Sequence, residues 1–393
     1  MSTKGETKYV GVGIIGCGAR IQKIFNRIHL TYPEIQLRAL CDPHPDSIAN
    51  YRNTFNPNAR VYKNFKELVA DPEIDWVMIG SWNCFHCDHA VAALEAGKHV
   101  FCEKPLAISM EQCLKLKEAW KRSGRIFSLG FVLRYSPFYQ KVRELIETGT
   151  VGKIVSFEFN ETIDFNLATL IHGGWRRSRN NAGTFILEKC CHDLDLANWF
   201  IDSIPSRVAS FGGLDIFRPE NNHLVKRLGH DRDGRRAYTV KPGIYANRVD
   251  DPFVTDKSIV DNQVVILEYF NGVRGSFHTN CQAGILERRF YILGTEGSIR
   301  ADIISGRLET QRVGFDKQRE IIEYPNSEGH YGSDKLLTTS LAQSIHHQRQ
   351  PMAGIEEGIK SAVTAFAIDQ SLDEKRIVGL TSLWNKVGIS VVK

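Results

Sequence analysis

From Tyr9 to about Gly130, short apolar runs alternate with amphipathic stretches, and few folds accept that order. Runs over 10–15, 36–41, 76–79, 99–102 and 126–131 read as strands, with helices over 21–30, 86–95 and 109–122 between them. Strands separated by helices predict a parallel sheet covered on both faces, an α/β, doubly wound Rossmann arrangement. After Arg134 the pattern changes. A helix over 137–147, closed by Thr148-Gly149, leads to a strand over 154–161 in which apolar and polar residues alternate. A helix over 192–200 follows, then strands that reverse at Asn271-Gly272 and at Gly294-Thr295-Glu296-Gly297. This half predicts an α+β domain with an open, mostly antiparallel sheet and helices on one face.

The expected division is 1–132 for a nucleotide-binding domain and 133–393 for substrate binding and oligomerisation, with helices over 334–347 and 355–371 packing back on the structure. One segment, about 218–262, fits neither pattern, being polar, turn-rich and dense in Arg, Lys, Asp and Asn. A loop this long is a lid, an arm or a binding insertion, or else a solvated excursion, with room for two short strands.

A chain of 393 residues can hold two substantial cores. Its 50 basic and 45 acidic side chains leave only +5, too little to suggest a nucleic-acid partner. No apolar run approaches the length of a membrane span. Residues 1–8 are polar and lack the apolar core of a signal peptide, and nine cysteines show no framework spacing, so the expected compartment is the cytoplasm.

The candidate chemistry starts at the strand ends. Gly11-Val12-Gly13-Ile14-Ile15-Gly16 matches a dinucleotide fingerprint by spacing, yet it lies inside the first strand. Gly16-Cys17-Gly18 sits where the turn must be, before a helix start at Ala19 that would face pyrophosphate, with Ile21 where a third small residue is usual. That bulk implies slightly wider helix–strand packing. Asp42 ends the second strand, where a carboxylate binds ribose hydroxyls and repels a 2′-phosphate, so NAD is expected over NADP. Arg20 stands where it could reach a phosphate. In Glu103-Lys104-Pro105, the proline disfavours helix at Lys104 and aims its ammonium from a strand end. Cys84-Phe85-His86-Cys87-Asp88-His89 is too crowded for a tetrahedral site and has no second ligand pair, so no metal is expected.

With these residues in place, the chain resembles the glucose-fructose oxidoreductase/inositol dehydrogenase/rhizopine catabolism family. Ala92-Ala93-Leu94-Glu95-Ala96-Gly97-Lys98-His99-Val100 runs into Glu103-Lys104-Pro105 as it does there, and Arg134-Tyr135-Ser136-Pro137 looks like the domain junction. The resemblance implies a second catalytic cluster in Leu187-Glu188-Lys189-Cys190-Cys191-His192-Asp193-Leu194-Asp195, with His192 as catalytic histidine and Glu188 in the acidic position, usually Asp. There His192 would begin a helix, and Asp193 and Asp195 would serve its N-terminus. Trp175 and Arg176 resemble a pair near the substrate, Ser81-Trp82-Asn83 stands where Thr-Pro-Asn is common, and His86 matches a recurrent histidine. The implied cofactor set is Gly16, Gly18, Ala19, Arg20, Asp42, Ser81, Asn83, His86, Glu103, Lys104 and Arg134, and the implied substrate set is Lys104, Trp175, Arg176 and His192.

The expected activity is NAD-dependent oxidation of a secondary alcohol in a sugar, glycoside or cyclitol, by a homodimer or homotetramer joined through the second sheet. Two alternatives stay open: transient oxidation followed by elimination from a glycoside, and a nucleotide-binding sensor without catalysis.

Overall fold

The computed structural model describes residues 9–240, 249–325 and 331–390; the polar stretch 1–8 and part of the 218–262 segment lie outside them. The chain divides into two compact units. The first comprises Met1–Ala107, Glu111–Val132 and Ser333–Gly358; the second comprises Ile108–Met110, Leu133–Gly332 and Ile359–Lys393.

In the first unit, β1 (Val10–Ile15), β2 (Ile35–Cys41), β3 (Arg60–Val61), β4 (Trp76–Ile79), β5 (His99–Cys102) and β6 (Phe127–Leu129) form one parallel sheet in the order β3-β2-β1-β4-β5-β6. Because helices cover both faces, β4 is buried at every position and must be apolar throughout. The winding reverses between β1 and β4, which opens a crevice at their carboxyl ends, where ligands of such sheets bind. A late segment completes this unit. Its helix Ser333–His347 pairs Asp334 with Arg20 at 2.8 Å and with Lys23 at 3.1 Å, and the Leu129 N–H donates to the Ala353 carbonyl at 3.0 Å.

The second unit is built on nine strands: β7 (Ile154–Thr162), β8 (Pro205–Gly213), β9 (Asn262–Tyr269), β10 (Arg274–Asn280), β11 (Arg289–Gly294), β12 (Gly297–Asp302), β13 (Arg307–Arg312), β14 (Glu320–Glu323) and β15 (Val378–Gly379). They run in the order β14-β13-β12-β11-β7-β10-β9-β8-β15, antiparallel except where β10 lies parallel to β7. Both expected reversals occur, between β9 and β10 and between β11 and β12. The inner face is aromatic, with Phe159 stacked on Phe290 and Phe290 edge-on to Phe200 of the helix Phe185–Ile201. The outer face leaves Phe211, Val264 and Ile266 exposed, at 71%, 44% and 58%.

Two expectations are corrected here. The helix carrying His192 begins at Phe185, capped by the Thr184 hydroxyl, so His192 lies two turns inside it and Asp193 and Asp195 are not at its N-terminus. The segment 218–262 holds a short helix, His223–Leu228, and one isolated bridge between His230 and Arg236 in place of two strands, among the described residues. Nor is it merely solvated. Phe217, Tyr238 and Phe253 pack on one another, and Asp261 accepts the N–H groups of Asp215, Ile216 and Phe217. Aromatic anchors at irregular spacing make a core that no periodicity reveals.

Candidate active site

In the first unit, backbone geometry leads. Gly16 has φ +84°, and a Cβ there would lie 2.3 Å from the Ser81 nitrogen, so glycine alone fits this turn. Gly11 and Gly13 lie within β1, which leaves Gly16-Cys17-Gly18 as the turn after the strand. Gly18 then precedes the helix Ala19–Thr31 and, being glycine, brings no side-chain cap of its own. Such a helix end suits an anion. The room for Ile21 comes from Gly80: a Cβ on Gly80 would sit 2.2 Å from the Ile21 side chain. Glycine at that facing position does the work of the missing third small residue.

Asp42 is drawn against the same turn. Its Oδ2 accepts the Cys17 N–H at 2.7 Å and its Oδ1 accepts the His44 N–H at 2.8 Å. Burial, then the Asp42 charge, push the Cys17 thiol far up, so it stays protonated. Ser81 Oγ meets His89 Nδ1 at 3.0 Å, and Asn83, itself buried, opens a 3-10 turn, Asn83–Phe85. His86 is 1% exposed, with Nδ1 2.8 Å from the Pro105 carbonyl and Nε2 3.1 Å from the Ser81 carbonyl. Burial lowers its proton affinity, while the two carbonyls and Glu103 oppose that loss. Arg20 Nε bonds Glu103 Oε1 at 3.1 Å; burial works against its charge, and Glu103 and Asp334 more than restore it. Both Arg20 and His86 thus meet protein groups beside Lys104, a task the sequence does not announce. Among the described residues, no group of three or more His, Cys, Asp or Glu is placed to hold a metal.

In the second unit, ion pairs lead. The helix Phe185–Ile201 places Glu188, His192 and Asp195 at helical spacing along one stripe. Arg176 Nε bonds Glu188 at 2.9 Å, and its guanidinium lies 4.4 Å from the Trp175 ring centroid. Arg134 takes Asp195 with two bonds, at 2.7 and 2.9 Å, and lies 5.2 Å from the Trp199 centroid. The adjoining stripe carries Lys189 and Asp193 toward the sheet. Arg288 holds Asp193 at 2.8 and 2.7 Å and Glu161 at 2.8 Å, and Lys189 reaches Glu161 at 2.6 Å. Burial pushes the Asp193 carboxyl up against the pull of Arg288. Burial likewise works against the Lys189 ammonium, but Glu161 outweighs it and raises its pKa.

Trp175, Arg176, Glu188 and His192 therefore belong to one neighbourhood of the second unit, with Arg134 bonded to Asp195 on the same helix, while Lys104 and the glycine turn belong to the first. Sequence reasoning missed Glu161, Arg288 and Asp334. No local signal marks them, since their partners lie 28 to 314 positions away.

Family models account for most of the chain. One, described as oxidoreductase family, NAD-binding Rossmann fold, matches residues 10–131. A second, oxidoreductase family, C-terminal alpha/beta domain, matches residues 143–380. YteT of Bacillus subtilis is 25% identical over 397 residues, covering 89% of this chain and 92% of that protein. An inositol 2-dehydrogenase/D-chiro-inositol 3-dehydrogenase of Shouchella clausii is 30% identical over 195 residues, 49% of this chain and 53% of that protein, so that match spans about half of each. The fold is also that of a levoglucosan dehydrogenase solved with NADH and levoglucosan, at TM-score 0.74 and 20% identity over 94% of this chain and 99% of that one. With both domains matched in order, the chain belongs to the glucose-fructose oxidoreductase/inositol dehydrogenase/rhizopine catabolism family and is an NAD-binding oxidoreductase.

Proposed function

We propose that this protein oxidises a secondary alcohol of a sugar, glycoside or cyclitol, with NAD as the hydride acceptor. The observation that carries this reading is the Glu188–His192 pair, one helical turn apart, with Glu188 fixed by Arg176. When bound, the nicotinamide would take the hydride from the alcohol carbon. The hydroxyl proton must leave as well, and a ring nitrogen of His192 would accept it. Lys104 Nζ would hydrogen-bond the reacting oxygen and stabilise negative charge developing there. Glu188 would orient the histidine, and the Trp175 face with Arg176 would hold the rest of a polyhydroxy substrate.

The glycine turn fits the cofactor: Gly16 lets the chain turn tightly against Ser81, and the helix start behind it favours pyrophosphate. Asp42 would take the ribose hydroxyls and disfavour NADP, while Ser81, Asn83, Glu103 and Arg134 would line the remainder. The names of the relatives, inositol and levoglucosan dehydrogenases, support a polyol class.

The segment 218–262 contributes to this reading. The Ser258 N–H bonds the Arg177 carbonyl at 3.0 Å and the Asp250 N–H bonds Gly173 at 3.0 Å, which ties it to the turn bearing Trp175 and Arg176. It would form a wall of the substrate entrance, and shortening it should change substrate KM while sparing NAD affinity. The exposed apolar stripe of β8 and β9 would be covered by a second copy, giving a homodimer or homotetramer; sedimentation showing only monomer at micromolar concentration contradicts that. No helix among the described residues is long and apolar enough to cross a membrane.

The deciding experiment is a screen of sugars, polyols and glycosides with NAD and with NADP, following reduced nicotinamide. Turnover with at least one polyol and NAD, abolished in His192→Ala, is the expected result. Product formed without accumulating reduced nicotinamide would point to transient oxidation and elimination instead, and tight NAD binding with no turnover would point to a sensor.

A further inference from the structure

Lys104 is flanked by two residues that the first unit holds from different elements. Before it, Glu103 Oε1 receives Arg20 from the helix behind the glycine turn, and Arg20 is itself bonded to Asp334 at 2.8 Å. The other oxygen of Glu103 accepts the N–H of Lys104 at 3.3 Å. After it, the Pro105 carbonyl meets His86 Nδ1 at 2.8 Å, while Nε2 of the same ring lies 3.1 Å from the Ser81 carbonyl. A neutral imidazole has one donor, and the shorter contact places that proton toward Pro105. Glu103 is 9% exposed and His86 1%, so neither contact competes with bulk water.

We propose that Arg20 and His86 are positioning residues that act through Lys104. They fix the peptide units on either side of it, so that a flexible four-carbon stem starts from an immobile root. Orientation of a reacting group is worth large factors in rate, and a lysine needs such a root more than a histidine does. Arg20 is charge-paired in this role and is not a pyrophosphate ligand; His86 ties the loop after β5 to the loop after β4. The proposal rests on the reading that Lys104 handles the substrate oxygen.

The test measures kcat, substrate KM and NAD Kd for Arg20→Met, Arg20→Lys, His86→Phe and His86→Gln, each alone and combined with Lys104→Met. Arg20→Met and His86→Phe should lower kcat by roughly 10- to 100-fold while NAD Kd moves by less than about threefold. The conservative Arg20→Lys and His86→Gln should recover part of the rate, and they carry the test if the larger changes prevent folding. In single turnovers of the Lys104→Met background, the same substitutions should cost less than about threefold, because a group that acts through Lys104 has nothing left to position. Full-size losses in that background would overturn the clamp and leave Lys104's role intact. A loss in Arg20→Met confined to NAD affinity would return Arg20 to the phosphates. Wild-type turnover in Lys104→Met alone would overturn the underlying reading together with the clamp.

Discussion

The two units handle their functional groups differently. In the first, Gly16, Asp42 and Lys104 each sit within two residues of a strand end, and Gly16 and Asp42 meet backbone carbonyl and amide groups of the chain nearby. In the second, one helix carries Glu188, Asp193 and Asp195, and each is claimed by an arginine from elsewhere: Arg176, Arg288 and Arg134. Turn geometry tolerates little change in backbone shape but survives many changes of charge. A web of buried ion pairs behaves in the opposite way, since removing one partner strands the other without water.

Loss of either proposed acid–base group tests the comparison hardest. Lys104→Ala or His192→Ala should reduce turnover by something like 10²–10⁴-fold, and His192→Ala should leave NAD binding intact. Near-normal turnover in either variant removes that half from the chemistry.

Next in size is the ion-pair web. Arg288→Met leaves Asp193 and Glu161 buried without their common partner and should cost about 3–5 kcal/mol in denaturant unfolding. A loss below 1 kcal/mol, within the range of an exposed pair, would mean that the second unit does not depend on its charges as described.

A third measurement turns on Asp369, which accepts the hydroxyl of Thr184, the cap of the Glu188–His192 helix. Burial pushes the Asp369 carboxyl up to about 7 from 3.8. A carboxyl raised in the folded state binds its proton more tightly there than in the unfolded chain. Its stabilisation is therefore full below about pH 4 and is lost as pH rises through 7, by on the order of a few kcal/mol. Asp369→Asn should flatten stability across that window, and an unchanged slope would show that the carboxyl is ionised in the fold.

The smallest effect belongs to the first unit. Asp42→Ala should weaken NAD by roughly tenfold, the scale of one charged hydrogen-bonding group, and NADP by less. Tighter binding of NADP than NAD by the wild type would contradict the ribose assignment.

The strands of the first sheet could be read from sequence because buried parallel strands must be apolar runs, and Gly16, Asp42 and Lys104 followed from what a strand end requires. The helix of the second unit starts seven residues before His192, the residue at which the sequence and the family resemblance put its start. Its true start depends on Thr184, whose hydroxyl is shared with Asp369, far along the chain. The same limit hid Arg288, which has meaning only once β11 lies beside β7. Pairings between distant positions leave no trace in a local pattern.

The division of the chain also has a consequence for its synthesis. The first unit takes its last segment from Ser333–Gly358, after nearly the whole second unit has been made. On the ribosome the six-stranded sheet would emerge early, yet Arg20 and Lys23 would wait for Asp334, and the backbone of Leu129 for Ala353. A domain normally completes itself as it leaves the ribosome, in order from the N-terminus. Here the earlier-born half finishes late, and a fragment ending at residue 132 would be made of every strand of its sheet and still lack part of its cover.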